Sequence, residues 1–351
     1  MKLTVCVPTY NGAAYLAQTL DSIAAQTFGD FEIVIVDDTS TDGTLDIAHA
    51  FAAKDSRTRV VRNTERAGSS ARNANQCLRH ARGEWIKFLF QDDVMAPTCL
   101  ARMLEAGERG PLVVSWHDYR FEPGVDDATR RWYETLPTLG EVLPGTFAPV
   151  DAFCDAVLAN GRINFIGPTS SSFIRRDCFS RYGEFSSEIR TFPDFEYWIR
   201  VGSREGLAIV PERLVTFRVH TTSISAQLRD KAGSRATLEL EPLLLYLQLA
   251  RAPEYEVIRR LAIRRDPPVD LERIIRDLAF DARWHAGEVR YRTGNDALLV
   301  QWQAFCARHP AMLDVLRDVD ATMSRWARLK QRIKTVLRSP SSVFRRRPSS
   351  V

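Results

Sequence analysis

The sequence is poor in the features that identify many enzymes at sight. Its six cysteines, Cys6, Cys77, Cys99, Cys154, Cys178 and Cys306, form no CxxC or CxxH pair. That excludes the usual zinc and disulfide frameworks and leaves free thiols of a reducing compartment. There is no GxGxxG and no GxxxxGK[ST], so a nucleotide here is not held by a glycine-rich phosphate loop. No apolar run approaches the roughly 20 residues of a membrane span, and no internal repeat is present. The opening stretch "MKLTVCVPTY" is interrupted by Pro8; it reads as a first buried strand rather than a signal peptide.

What is present is an ordinary globular composition over 351 residues, 45% hydrophobic and 10% aromatic, enough for one large or two medium domains. The net charge of +4 hides an asymmetry. From Arg325 onward stand nine basic residues and no acidic one, so the rest of the chain holds 39 basic against 44 acidic residues. The body is mildly acidic and the basicity is a tail.

The first hundred residues alternate. "LTVCVPTY", "FEIVIVDD", "TRVVRN" and "GEWIKFLFQDD" read as strands, and "YLAQTLDSIAAQ", "TLDIAHAFAAKD" and "SSARNANQCLRHAR" as the helices between them. That order predicts an α/β fold with a mostly parallel sheet flanked by helices. Further on, 123–149 reads as a Gly/Pro-rich connection, "FPDFEYWIRVGSREG" as an amphipathic helix and "LAIVPERLVTFRVH" as two short strands. From about residue 226 the pattern is helical, broken at Pro253, Pro267-Pro268 and Pro310.

Ligands of such sheets bind at the carboxyl ends of the strands. Three polar clusters fall there: "PTYN" (8–11), "DDTS" (37–40) and "QDD" (91–93). One acidic pair alone is more often a solvated turn; three clusters at three strand ends are a signal. Adjacent carboxylates such as Asp92 and Asp93 repel each other unless a cation lies between them and a ligand. Mg²⁺ or Mn²⁺ bridging carboxylates to a diphosphate meets that need.

With these residues in view, the chain resembles family 2 glycosyltransferases of the GT-A fold. The resemblance lies in "VCVPTYNGAAYLAQTLDSIAAQTFGDFEIVIVDDTSTDGT", "SSARNANQCLRHARGEWIKFLFQDDVMAP", "FIGPTSSSFIRRDCF", "FPDFEYWIRV" and "FRVHTTSIS", over about residues 3 to 225. It implies that Pro8, Thr9 and Tyr10 line a base pocket and that Asp38 accepts from a uracil imide. It implies further that Arg72 lies near the base or diphosphate, that Asp92 and Asp93 serve ribose and metal, and that His220 completes the metal shell. Asp194 matches the catalytic base. The chain departs from the family pattern at Phe90, where many relatives begin a D-x-D, and at Pro193, where many carry Glu before the Asp.

The resemblance implies a metal-assisted, inverting transfer from a nucleotide-diphosphate sugar, with UDP favoured over dTDP, to a glycan or lipid-linked hydroxyl. The expected organisation is a catalytic domain over 1–225, a helical region over 226–320 and a basic tail over 321–351. In that tail Trp326, Leu329, Ile333, Val336 and Leu337 fall at helical spacing among basic residues. Membrane-surface contact through 325–347 is therefore expected, with no nucleic-acid partner, which places the protein in the cytoplasm or on the inner membrane face. Two rivals remain at this stage. A nucleotidyltransferase also uses strand-end acids and a metal but normally has a glycine-rich basic loop after its first strand. A sugar-nucleotide-binding protein without chemistry would keep the same fold.

Overall fold

The computed structural model describes residues 1–223, 226, 232–312, 314–322 and 325. Strand β1 (Leu3–Thr9) leads through helix α1 (Leu16–Ala24) to β2 (Phe31–Asp37). Helix α2 (Thr44–Ala52), β3 (Thr58–Arg62), α3 (Ser70–His80) and β4 (Trp85–Phe88) complete the alternation. Every residue of β1 and β2 is buried, as continuous apolar runs require in a sheet covered on both faces. Helix α1 turns Leu16, Thr19, Leu20 and Ile23 inward, the three- and four-residue spacing of a single helical stripe. Leu16, Leu20 and Ile23 pack with Leu3, Val5 and Val7 of β1 in one core.

After β4 come β5 (Val94–Met95), α4 (Cys99–Ala106) and β6 (Leu112–Phe121). The 123–149 stretch is more structured than its composition suggests. It contains α5 (Asp127–Glu134), α6 (Leu139–Val142) and β7 (Phe147–Ala148), and α6 opens with a capping box between Thr138 and Glu141. Then follow α7 (Val150–Asn160), β8 (Ser172–Arg175), α8 (Asp177–Tyr182), α9 (Pro193–Glu205) and β9 (Leu207–Val219).

The sheet order is β3-β2-β1-β4-β8-β6-β9-β5, with β7 on the flank of β9. β1 pairs in parallel with β2 on one side and β4 on the other. The strand order therefore reverses at β1, the switch point where such sheets open a crevice.

Two expectations are corrected here. Residues 207–219 form one strand, not two, because the break falls as a register shift against Ser115–His117 of β6 while pairing continues. Helix α9 is buried nearly all round, with Phe195, Glu196, Tyr197, Trp198, Ile199, Val201, Gly202 and Ser203 enclosed. Its most enclosed acid, Glu196, is paired with Arg200 at 2.7 Å.

The chain divides into a compact unit Met1–Leu271 and a second unit from Glu272. Within the first, the helix Glu256–Arg264 packs on α7 and α9. The second contains nearly all of the helix Leu271–Thr293 and the helix Ala297–Arg308, where Leu298, Trp302 and Phe305 are buried. Helices end before Pro253 and Pro267, as expected. Apart from Arg325, the tail expected at 325–347 lies outside the described residues. Among those residues no helix is long and apolar enough to cross a membrane.

Candidate active site

The chain leaves β4 at Phe88 and turns through 89–93 into β5. At this turn Asp92 Oδ2 lies 3.0 Å from His220 Nε2. The two side chains are 22% and 9% exposed, so they are shielded yet reachable. His220 follows the end of β9. Its Nδ1 is 2.9 Å from Thr222 Oγ1, and its ring packs 4.6 Å from that of Tyr15. A partner on the far nitrogen orients the ring, as outer contacts do for metal-binding histidines.

Asp93 does not join them. It is 1% exposed, its Oδ2 accepts from Ser170 Oγ at 2.5 Å and its Oδ1 from the Arg218 amide at 3.0 Å. Burial, and then the neighbouring Asp92, push its carboxyl well above the usual carboxylate range. Of the expected trio, the structure brings Asp92 and His220 together and turns the Asp93 carboxylate toward Ser170 and the Arg218 amide. Among the described residues no three His, Cys, Asp or Glu side chains gather to hold a metal. Arg218, 3% exposed, completes the clamp. Its Nε donates to the Asp92 carbonyl at 2.8 Å, Nη1 to Glu122 at 2.5 Å and Nη2 to Gln18 at 2.7 Å, and its guanidinium covers the Tyr15 ring.

At the neighbouring strand ends the residues expected for the base separate. Pro8 and Thr9 are buried within β1, and only Tyr10 is half-exposed. Asp38 is 3% exposed. Its carboxylate already accepts from Asn63 Nδ2 at 2.8 Å, the Ala67 amide at 2.5 Å and the Gly68 amide at 3.2 Å. It anchors the 63–68 loop, and Arg66 of that loop lies 4.0 Å over the Tyr10 ring. The turn next to it is strained: Thr39 has φ 62°, rare for a β-branched residue and typical of functional turns. Among the described residues, Arg72 makes no side-chain hydrogen bond to this group but shares a pocket with the loop that Asp38 anchors. It is exposed on α3 and lines an open pocket of about 480 Å³ with Glu65, Arg66, Gln76, Arg79 and Glu184.

Asp194 stands in the first turn of α9, behind Pro193, where proline costs no hydrogen bond. Its Oδ2 accepts from Thr169 Oγ1 at 2.8 Å and its Oδ1 from the Phe195 amide at 2.8 Å. Burial raises its carboxyl above the ordinary range, and these donors pull against the rise.

The structure thus sets Asp92 beside His220 at the carboxyl edge of the sheet and Asp194 at the head of helix α9. Residues 4–177 match the family described as "Glycosyl transferase family 2". The chain belongs to that family. Transfer of a glycosyl group is accordingly its class of reaction, and its fold is GT-A. The family member is 30% identical over 245 residues to an uncharacterized protein of Mycobacterium tuberculosis, covering 70% of this chain and 75% of that one. It is 26% identical over 220 residues to a poly(ribitol-phosphate) beta-glucosyltransferase of Bacillus spizizenii. There the match covers 60% of this chain but only 34% of the relative. Among solved structures, S. aureus TarS 1–349 in complex with UDP-GlcNAc superimposes with a TM-score of 0.54 at 17% identity, covering 80% of each chain. That likeness shows the shared fold.

Reading the sequence alone did not single out Arg218, Ser170, Thr169 and Lys87, whose contacts hold the 89–93 turn and Asp194 in this family member. Only Lys87 carried a local signal, a lysine inside the apolar run "WIKFLF".

Proposed function

We propose that this chain is an inverting glycosyltransferase that moves a sugar from a UDP-sugar to a hydroxyl of a glycan or lipid-linked acceptor. The observation that carries the reading is the Asp92–His220 pair, 3.0 Å apart at the carboxyl edge of the sheet. A divalent cation that travels with a diphosphate takes one or two protein ligands and completes its shell with phosphate oxygens and water. One carboxylate and one imidazole fit that demand, so Asp92 and His220 would hold Mn²⁺ or Mg²⁺. When bound, the ion supplies neutralisation of the charge that develops on the departing diphosphate.

The chain's own residues do the rest. The acceptor hydroxyl attacks the anomeric carbon, the new C–O bond forms as the bond to the UDP oxygen breaks, and the electron pair leaves with UDP. The hydroxyl proton passes to Asp194, whose burial keeps its carboxyl more basic than an exposed aspartate. A single displacement inverts the anomeric configuration. Asp38 has about four acceptor sites and three donors on it, leaving one for an imide N–H. The UDP-GlcNAc complex of the similar S. aureus protein supports a uridine donor.

Titration calorimetry of UDP into the protein, with and without Mn²⁺, tests the reading beside Asp92→Asn. Metal-dependent binding lost in the variant is expected. Metal-independent UDP binding removes the cation from the reading, and failure to bind UDP, dTDP or GDP ends it.

A further inference from the structure

Four consecutive hydroxyl side chains, Thr169 to Ser172, connect α9 to the β4–β5 turn. Two of them fold back on their own turn: Ser171 Oγ donates to the Pro168 carbonyl at 2.7 Å and Ser172 Oγ to the Thr169 carbonyl at 2.6 Å. The other two reach carboxylates. Thr169 Oγ1 donates to Asp194 Oδ2 at 2.8 Å. Ser170 Oγ donates to Asp93 Oδ2 at 2.5 Å and accepts from the Phe90 amide at 3.0 Å. One residue thus touches the acid of α9 and the next touches the turn that presents Asp92.

The segment is pinned from inside the sheet. Lys87 is wholly buried and joins no ion pair among the described residues. Its ammonium donates to the Ser170 carbonyl and, at 3.3 Å, to the Ser172 carbonyl. A buried ammonium is costly unless its donors are used. Here they hold main-chain oxygens of a short turn, which a methionine of similar shape would leave free to shift.

We propose that Thr169 is the positioning residue for Asp194, and that the 169–172 turn, held by Lys87, locks the acceptor-side acid in register with the Asp92 turn. The inference deepens the proposed transferase reading and rests on Asp194 acting as its base. The groups that act on Asp194 are the Thr169 hydroxyl and amide and the amides of Asp194 and Phe195, with no charged side chain among them. Among the described residues, Thr169 is the side chain whose hydroxyl donates to this carboxylate, at 2.8 Å.

The test uses the full chain and two readouts. Asp-labelled protein, with Asp194→Asn to assign the signal, reports the pH at which the Asp194 carboxyl titrates by ¹³C resonance. Sugar-nucleotide turnover over a range of pH reports kcat and the donor KM. Thr169→Val removes the hydroxyl at constant shape. It should move the Asp194 titration and the acid limb of kcat to higher pH and lower neutral-pH kcat about tenfold, the loss of one hydrogen bond to a charged group. The donor KM should hold, and Thr169→Ser should restore all three. Ser170→Ala should instead weaken UDP binding and leave the Asp194 titration in place. If Thr169→Val leaves titration and acid limb unmoved while Asp194→Asn abolishes turnover, the positioning role is wrong and the base assignment stands. If Asp194→Asn turns over like the wild type, both fall.

Discussion

Gln91 pairs through its side-chain amide with both backbone groups of Tyr10: its Oε1 accepts the Tyr10 N–H at 2.7 Å and its Nε2 donates to the Tyr10 carbonyl at 3.0 Å. The two residues are 81 apart in sequence and lie at the ends of adjacent parallel strands. The pairing sets the half-exposed tyrosine that faces the crevice. It also explains Gly12, where a Cβ would lie 2.2 Å from Gln91 Oε1.

Gln91→Leu leaves two shielded backbone groups without partners, which should cost about 1–3 kcal/mol of stability. UDP affinity should fall with it. Gly12→Ala should be destabilising alone, and less so in the Gln91→Ala background, since the clash is with that side chain. Urea midpoints for the two single variants and the double give the coupling directly, and strict additivity counts against the contact.

Asp92 and Asp93 are adjacent but should fail differently. Asp93→Ala strands the Ser170 hydroxyl and the Arg218 amide in the interior, at roughly 1–3 kcal/mol for each group. Thermal unfolding should report that loss even without ligand. Asp92→Ala should unfold close to the wild-type midpoint yet lose metal-dependent UDP binding. A reversal of the two phenotypes would contradict the assignment of Asp92 as the cation-facing carboxylate.

Arg218 bonds the Asp92 carbonyl, Glu122 and Gln18 from a nearly sealed site. Arg218→Met removes a buried cation and its hydrogen bonds, while Glu122 keeps Arg120 at 3.2 Å, so the loss should be about 1–3 kcal/mol. The Asp92 turn should loosen as well, so turnover should drop more than the folded fraction does. Activity normalised to folded protein separates the two effects.

The pH dependence follows from Asp194. Its carboxyl is raised by burial, and only the ionised form takes a proton. Turnover should be full at pH above that raised value and fall as pH drops through it. The limb should therefore lie above the range near 3.9 where an exposed aspartate titrates. A pH profile of kcat/KM under saturating metal measures it; a limb at or below the ordinary aspartate range would remove Asp194 as the base.

Much of this was legible without coordinates, because it is local. Continuous apolar runs such as "FEIVIV" make buried strands whatever their partners, and Leu16, Leu20 and Ile23 fall on one face of any helix. Alternation of such units dictates a parallel sheet, and a parallel sheet brings its strand-end polar residues to one edge. Asp38, Asp92 and Tyr10 were located in this way, and the family motifs added His220 and Asp194.

What tertiary structure alone decided is which way each acid faces. Asp92 and Asp93 are chemically identical neighbours. The Arg218 amide, which arrives 125 residues later along β9, and Ser170 on the turn before β8 take one of them inward and leave the other to His220. The same holds for Asp38, whose carboxylate is claimed by the Asn63 side chain and the Ala67 and Gly68 amides. Nothing in the local chain distinguishes these cases. A side chain's direction at a turn is set by whichever distant donors reach it first, and those donors exist only once the sheet has closed.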